Sequence, residues 1–137
     1  MTKVVLLLSG GKDSKKCLEL LLQKGYDVTG LCISGRQKVE EPQARETARQ
    51  MGVPLIVVPV FFFDETTWNP LKLIIRDLAM GIVAIVVCKR LKAKILATGV
   101  KTDDVENAQL KWLQPFLKFA TVALKVFGIE LVFPLIA

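Results

Sequence analysis

Apolar residues in this chain fall into short unbroken runs, separated by stretches where they recur every three or four positions. Lys3 to Leu8 is such a run and predicts a strand buried on both faces. From about Asp13 to Lys24 the residues Cys17, Leu18, Leu21 and Leu22 share one helical face, and Gly25 stops that helix. Val28 to Ile33 predicts a second strand, ending at Ser34-Gly35, and Arg36 to Glu41 a charged loop. A second helix is expected from Pro42, a good first-turn residue, to Met51. Its apolar face of Ala44, Ala48 and Met51 is narrow, which places it on the surface. Leu55 to Val60 reads as a third strand, and Pro59 near its end suits a sheet edge. A third helix is expected over Pro70 to Leu91, then a strand at Ile95 to Thr98. A helical region beginning at Asp103-Asp104, broken at Pro115 and continuing to Phe127, precedes a last strand over Ile129 to Phe133. Five strands alternating with four helices predict an α/β fold: one doubly wound, five-stranded parallel sheet between two helical layers, joined by right-handed crossovers.

Composition sharpens this picture. The 137 residues suit a single domain spanning 1–137, and 52% hydrophobic content with a mean hydropathy of +0.44 fits a sheet covered on both faces. The longest apolar stretch, the 11 residues Leu78 to Cys88, is half the length of a membrane span and is expected to be a buried helix. With no membrane segment or signal peptide, a cytoplasmic protein is expected. Cys17, Cys32 and Cys88 form no Cys-x-x-Cys pair, and there is no histidine. They read as small buried residues rather than zinc or iron–sulfur ligands. The net charge of +6 favours phosphate ligands or RNA, yet the lysines show no alternation with aromatics. Phe61-Phe62-Phe63 through Pro70 reads as packing over the edge of the core, as a pocket wall or as an oligomer contact.

The candidate chemistry sits where the first strand meets the first helix. Leu8-Ser9-Gly10-Gly11-Lys12-Asp13-Ser14 is a strand end, a glycine turn and a helix start. Two glycines let backbone N–H groups close around an anion, and the helix N-terminus adds partial positive charge. Lys12 supplies a full charge, Ser9 and Ser14 supply hydroxyls, and Asp13 can hold a magnesium ion carried by a nucleotide. A tight turn capped by Asp13 or Ser14 is the plain alternative. The Walker and dinucleotide glycine patterns are both absent. Gly99, at the end of the fourth strand, permits close backbone approach to a ligand. Asp103, Asp104 and Glu106 follow it as candidate ribose or magnesium contacts, or as helix caps.

Ser9-Gly10-Gly11-Lys12-Asp13-Ser14 resembles the PP-loop of the N-type ATP pyrophosphatases, members of the adenine-nucleotide alpha-hydrolase group, whose motif is Ser-Gly-Gly-x-Asp-Ser. Ala97-Thr98-Gly99-Val100-Lys101-Thr102-Asp103-Asp104-Val105-Glu106-Asn107, about 85 residues on, resembles the family's later Thr-Gly-His-x-x-Asp-Asp-x-x-Glu segment, with Val100 in place of histidine. The resemblance covers most of residues 3 to 107 and extends to the ATP domains of 7-cyano-7-deazaguanine synthases and tRNA-thiolation enzymes. It implies a HUP-type, Rossmann-like fold and a reaction in which ATP is cleaved to AMP and pyrophosphate to adenylylate an acceptor. It further implies that Lys12, Asp13 and Ser14 serve the chemistry. Leu8, Ser9, Gly10, Gly11, Lys12, Ser14, Ile33, Ser34, Gly99 and Asp104 would hold the nucleotide, and Asp13 and Asp103 the Mg2+. The acceptor would be a small molecule, such as a deazapurine precursor, or tRNA. A nucleotide-binding module without turnover is the other reading. Most such relatives carry a further substrate-binding segment, so a chain ending at Ala137 is expected to act as a homodimer or with a partner subunit. The apolar tract from Trp112 to Phe127 is the expected contact.

Overall fold

In the computed structural model the described residues are 2–8, 12–34, 40–59, 70–99 and 113–135; for 12, 34, 40, 70–77 and 113–119 the description extends to the backbone only. Strands β1 (Lys3–Leu7), β2 (Asp27–Ser34), β3 (Leu55–Pro59), β4 (Ile95–Ala97) and β5 (Glu130–Val132) alternate with helices α1 (Lys12–Gln23), α2 (Glu40–Met51), α3 (Pro70–Leu91) and α4 (Leu113–Val126). The strands form one sheet in the order β3-β2-β1-β4-β5, and every neighbouring pair is parallel. The expected α/β architecture is therefore the observed one. β3 lies at an edge, where the proline at its end costs no ladder bond.

Alternation along β1 assigns the two layers. Val4, Leu6 and Leu8 point to a core shared with Cys17, Leu18 and Leu21 of α1 and Ala44 and Ala48 of α2. Val5 points the other way, to a second core with Leu31, Leu96, Ala84, Val87 and Cys88 of α3, and Leu124 of α4. Burial on both faces explains why β1 reads as an unbroken apolar run.

All four helices end in the same turn. A residue one or two positions past each helix has positive φ (Gly25, Gly52, Lys92 and Gly128), and the next N–H reaches back to a carbonyl inside the last turn. In α3 this bond is Ala93 N–H to Cys88 O at 2.9 Å, and in α4 it is Ile129 N–H to Leu124 O at 3.0 Å. This pattern satisfies carbonyls that a helix end otherwise leaves without partners.

Several boundaries differ from the pattern reading. α2 begins at Glu40, so Pro42 is its third residue; α4 runs unbroken from Leu113 with Pro115 as its third. Both prolines sit in a first turn, whose N–H groups have no intrahelical acceptor to lose; the helical stretch expected from Asp103 up to α4 lies outside the described residues. β2 is longer by a residue at each end, while β4 and β5 are only three residues each. The apolar run Leu78 to Cys88 does lie within α3, but it is buried on one side only: Leu78, Ile82 and Val86 are exposed. Among the described residues, no helix is long and apolar enough to cross a membrane.

Candidate functional site at the junction of β1, α1 and β4

The chain runs from β1 outward through β2 to β3, then crosses back to place β4 on the other side of β1. The order of strands reverses between β1 and β4, and ligands of such sheets sit outside the carboxyl ends of strands at that point. α1 starts there, with Lys12, Asp13 and Ser14 as its first three residues. Their N–H groups belong to the four at a helix start that no intrahelical carbonyl accepts, and the positive end of the helix dipole adds to them.

The end of β4 touches this helix start directly. A Cβ placed on Gly99 would lie 3.4 Å from the backbone N of Ser14, and 3.5 Å from both Asp13 C and Ser14 Cα. Two segments separated by about 85 residues, each bearing a candidate motif, are thus in contact through backbone. Gly99 was expected to admit a ligand; the atoms it admits among the described residues are those of α1. Thr98, which precedes Gly99 in the same motif, lies half-buried at this rim of the sheet and donates its N–H to Val132 O at 3.2 Å.

The other candidates divide as follows. Ser14 is buried and Asp13 is half-buried on the first turn of α1. Leu8 is a core residue whose N–H donates to Leu31 O at 2.9 Å. Ile33 packs on the second core near the end of β2, and Ser34 pairs with Pro59 as the last β2 residue. Ser9, Gly10, Gly11, Asp103, Asp104 and Glu106 lie outside the described residues, as do residues 35–39 and 60–69. The Lys12 side chain is likewise outside the description; its backbone opens α1.

All three cysteines are buried. Cys17 is one turn past Ser14 but faces the first core, and burial pushes its thiol up to about 11. Burial does the same to Cys88, to about 11, with a small opposing pull from Lys89. Cys17 and Cys32 belong to one core and Cys88 to the other, on opposite faces of the sheet. Among the described residues, no three His, Cys, Asp or Glu side chains are grouped to hold a metal ion.

Three solved structures share this fold. A protein described as a predicted subunit of tRNA methyltransferase from Methanocaldococcus jannaschii aligns over 100% of this chain and 69% of its own, at 21% identity and a TM-score of 0.62. The U34-tRNA thiolase NcsA from Methanococcus maripaludis, solved with its [4Fe-4S] cluster, aligns over 98% of this chain and 52% of its own, at 22% identity and a TM-score of 0.67. PH1313 from Pyrococcus horikoshii Ot3 aligns over 98% and 37%, at 14% identity and a TM-score of 0.60. The chain thus spans about half of the thiolase and a smaller share of PH1313. A search of curated proteins found no significant match. At the level of sequence, residues 3–73, just over half of the chain, match the model of the queuosine biosynthesis protein QueC. That span contains β1, the Ser9–Ser14 segment, α1, β2 and β3, and with the junction formed by Gly99 it identifies the chain as a member of the QueC family of PP-loop proteins.

Proposed function

We propose that the chain binds ATP at the junction of β1, α1 and β4 and cleaves it between its α and β phosphates to adenylylate an acceptor. The observation that carries this reading is the contact of Gly99 with the Asp13–Ser14 turn. It sets Gly99 against Asp13 and Ser14, the last residues of the Ser-Gly-Gly-Lys-Asp-Ser segment, which supports a phosphate chain held by that segment with its nucleoside near Thr98-Gly99. Membership of a PP-loop, ATP-using family supports the same assignment.

In this reading an acceptor oxygen attacks the α-phosphorus, the bond to the β-phosphate bridging oxygen breaks, and pyrophosphate leaves. An amine, ammonia or sulfur nucleophile then displaces AMP from the activated acceptor. The chain's own part is to hold and neutralise. Backbone N–H groups of Gly10 and Gly11, the start of α1 and the Lys12 ammonium would stabilise charge gathering on pyrophosphate; one such donor contributes on the order of 3 kcal/mol. Ser9 and Ser14 would orient the phosphates, and Asp104 and the backbone at Ile33 and Ser34 the nucleoside. A magnesium ion, when bound, neutralises the phosphate oxygens. A single half-buried carboxylate at Asp13, with no preformed cluster of ligands among the described residues, fits a magnesium that arrives on the nucleotide and keeps most of its water. Asp103 would be its second carboxylate.

Two acceptors are supported: a deazapurine precursor by the family's role in queuosine biosynthesis, and a tRNA by the thiolase and methyltransferase-subunit neighbours. The test is incubation with α-labelled ATP and magnesium, with bulk tRNA or small carboxylate acceptors supplied separately. Labelled AMP is expected with one acceptor class and is lost in Lys12→Ala and Asp13→Ala. ADP as product, or ATP bound with no AMP under any acceptor, would overturn the adenylylating reaction.

A further inference from the structure

The rim opposite the nucleotide site is built from the feet of the helices and the strand starts that follow them. Its turns, 24–27, 52–54, 92–94 and 127–129, all lie among the described residues. On the α3–α4 side this rim gathers six exposed cations. Lys89 and Arg90 close the last turn of α3, Lys92 and Lys94 follow it, and Lys125 stands in the last turn of α4. Lys3 opens β1; the next residue, Val4, pairs with Ile95, which sets Lys3 beside Lys94, and the Lys3 Nζ lies 3.4 Å from Leu91 O. The Lys89 Nζ reaches the turn after α4, 3.8 Å from a Cβ placed on Gly128. Strand alternation directs Lys3 and Lys94 to the side of Val5 and Leu96, in the second core, and Glu130 to the other side.

The net positive charge of the described side chains is concentrated here. Asp27, the register partner of Lys3, is the one carboxylate against these six. Elsewhere the described charges balance: Lys15, Lys16, Lys24, Arg45 and Arg49 against Asp13, Glu19, Glu41, Glu46 and Glu130. The ion pairs Arg45–Glu41 and Arg49–Glu46 belong to α2, and none of the six rim cations is paired among the described residues. Helix dipoles account for cations at the feet of α3 and α4, but Lys3 and Lys94 stand on strands, which carry little net dipole. Gathered across about 15 Å, one helix spacing plus one strand spacing, the charges repel one another and favour a polyanion.

We propose that single-stranded RNA docks on this rim, its phosphates on the cations and an unstacked base on Phe127. Phe127 is half exposed and lies between Lys125 and Gly128, next to the turn that Lys89 reaches, so an aromatic ring stands among the charges. Duplex DNA is read by a helix flank or a two-stranded ribbon laid in a groove, whereas this rim offers helix ends and strand starts. An acidic peptide would use the charges and leave the ring idle. Cations from residues 3, 89–94 and 125 meet only in the fold, which is why no basic and aromatic alternation marks the sequence. RNA held here is tethered away from the nucleotide rim, so the inference is independent of the nucleotide assignment.

The test is fluorescence anisotropy of labelled oligouridylate with the full chain, between about 50 and about 200 mM salt. Affinity should fall with a log–log slope of about −3 to −4, the counterion release from roughly four to six phosphates on a single strand. Lys89→Gln/Lys125→Gln should weaken binding roughly tenfold and flatten that slope by about 1.4. Lys15→Gln/Lys16→Gln, the same loss of charge placed on α1, should change neither. Phe127→Leu should weaken binding at least threefold at unchanged slope and unchanged far-UV circular dichroism. Equal loss in the two double variants overturns the proposal, as does polyglutamate competing as well as RNA, or duplex DNA binding more tightly. Loss of RNA binding in Asp13→Ala, or displacement of RNA by magnesium–ATP, places the RNA at the nucleotide rim and overturns it too.

Discussion

Gly99 is where one missing side chain decides most. Its neighbours on α1 are backbone atoms at 3.4 to 3.5 Å, an ordinary contact for a single methyl, so Gly99→Ala should keep its affinity for ATP. The two further methyls of Gly99→Val would push the end of β4 from the first turn of α1. At least a tenfold loss of ATP affinity by calorimetry is expected, with the melting temperature lower by only a few degrees. Lys92 is the converse case, a side chain where its three counterparts are glycines, at φ +57°. Left-handed backbone costs an L-residue on the order of 1 kcal/mol, so Lys92→Gly should raise the unfolding free energy by about that amount in urea melts. The cysteines give a pH dependence. Burial raises the thiols of Cys17 and Cys88 in the folded chain to about 11, above the ordinary thiol value near 9. Their stabilising contribution is therefore full below pH 9 and lost as pH rises towards 11. Urea midpoints should fall across that window, and less steeply in Cys17→Ala/Cys88→Ala. That the thiols are buried was readable from their apolar spacing. The left-handed Lys92 was not, because the residue type that normally signals that turn is absent.

At the scale of elements, the hydrophobic pattern located helices by their inward faces and erred at their ends. It found Cys17, Leu18 and Leu21 on α1 because three- and four-residue spacing survives any uncertainty about where the helix starts. Leu18→Ala, fully buried, should cost roughly 3 kcal/mol in a denaturant melt. The exposed pairs of α2 present the opposite case. Arg45 contacts Glu41 at 2.9 Å and Arg49 pairs with Glu46, on a solvated face where such pairs contribute little. Arg49→Ala should leave the urea midpoint unchanged within error. Pro42 lies in the first turn of α2, as its reading as a first-turn residue requires, and Pro115 holds the same third position in α4, where a missing N–H has no intrahelical acceptor to lose. The half-exposed side of α3 was illegible. A run of eleven apolar residues carries no polar position to show which side faces out.

For the whole molecule, the order β3-β2-β1-β4-β5 makes β1 and β4 neighbours, so the motif-bearing ends of both strands lie at one rim of the sheet. The site itself was legible as a sequence pattern, whereas the contact that joins its halves was not, since glycine leaves no mark of what it packs against. Centrality also ranks stability: β1 is flanked on both sides and covered by both cores, so its amides should exchange with deuterium last, and those of the three-residue β5 early. Exchange from β5 as slow as from β1 would contradict that ranking. The turn shared by all four helix ends has a broader consequence. Each helix is anchored at its foot, where it hands over to the next strand, and is free in length only at its head. The heads crowd the rim where the nucleotide would lie, so natural or engineered insertions there can recast specificity while the opposite rim keeps the scaffold in register.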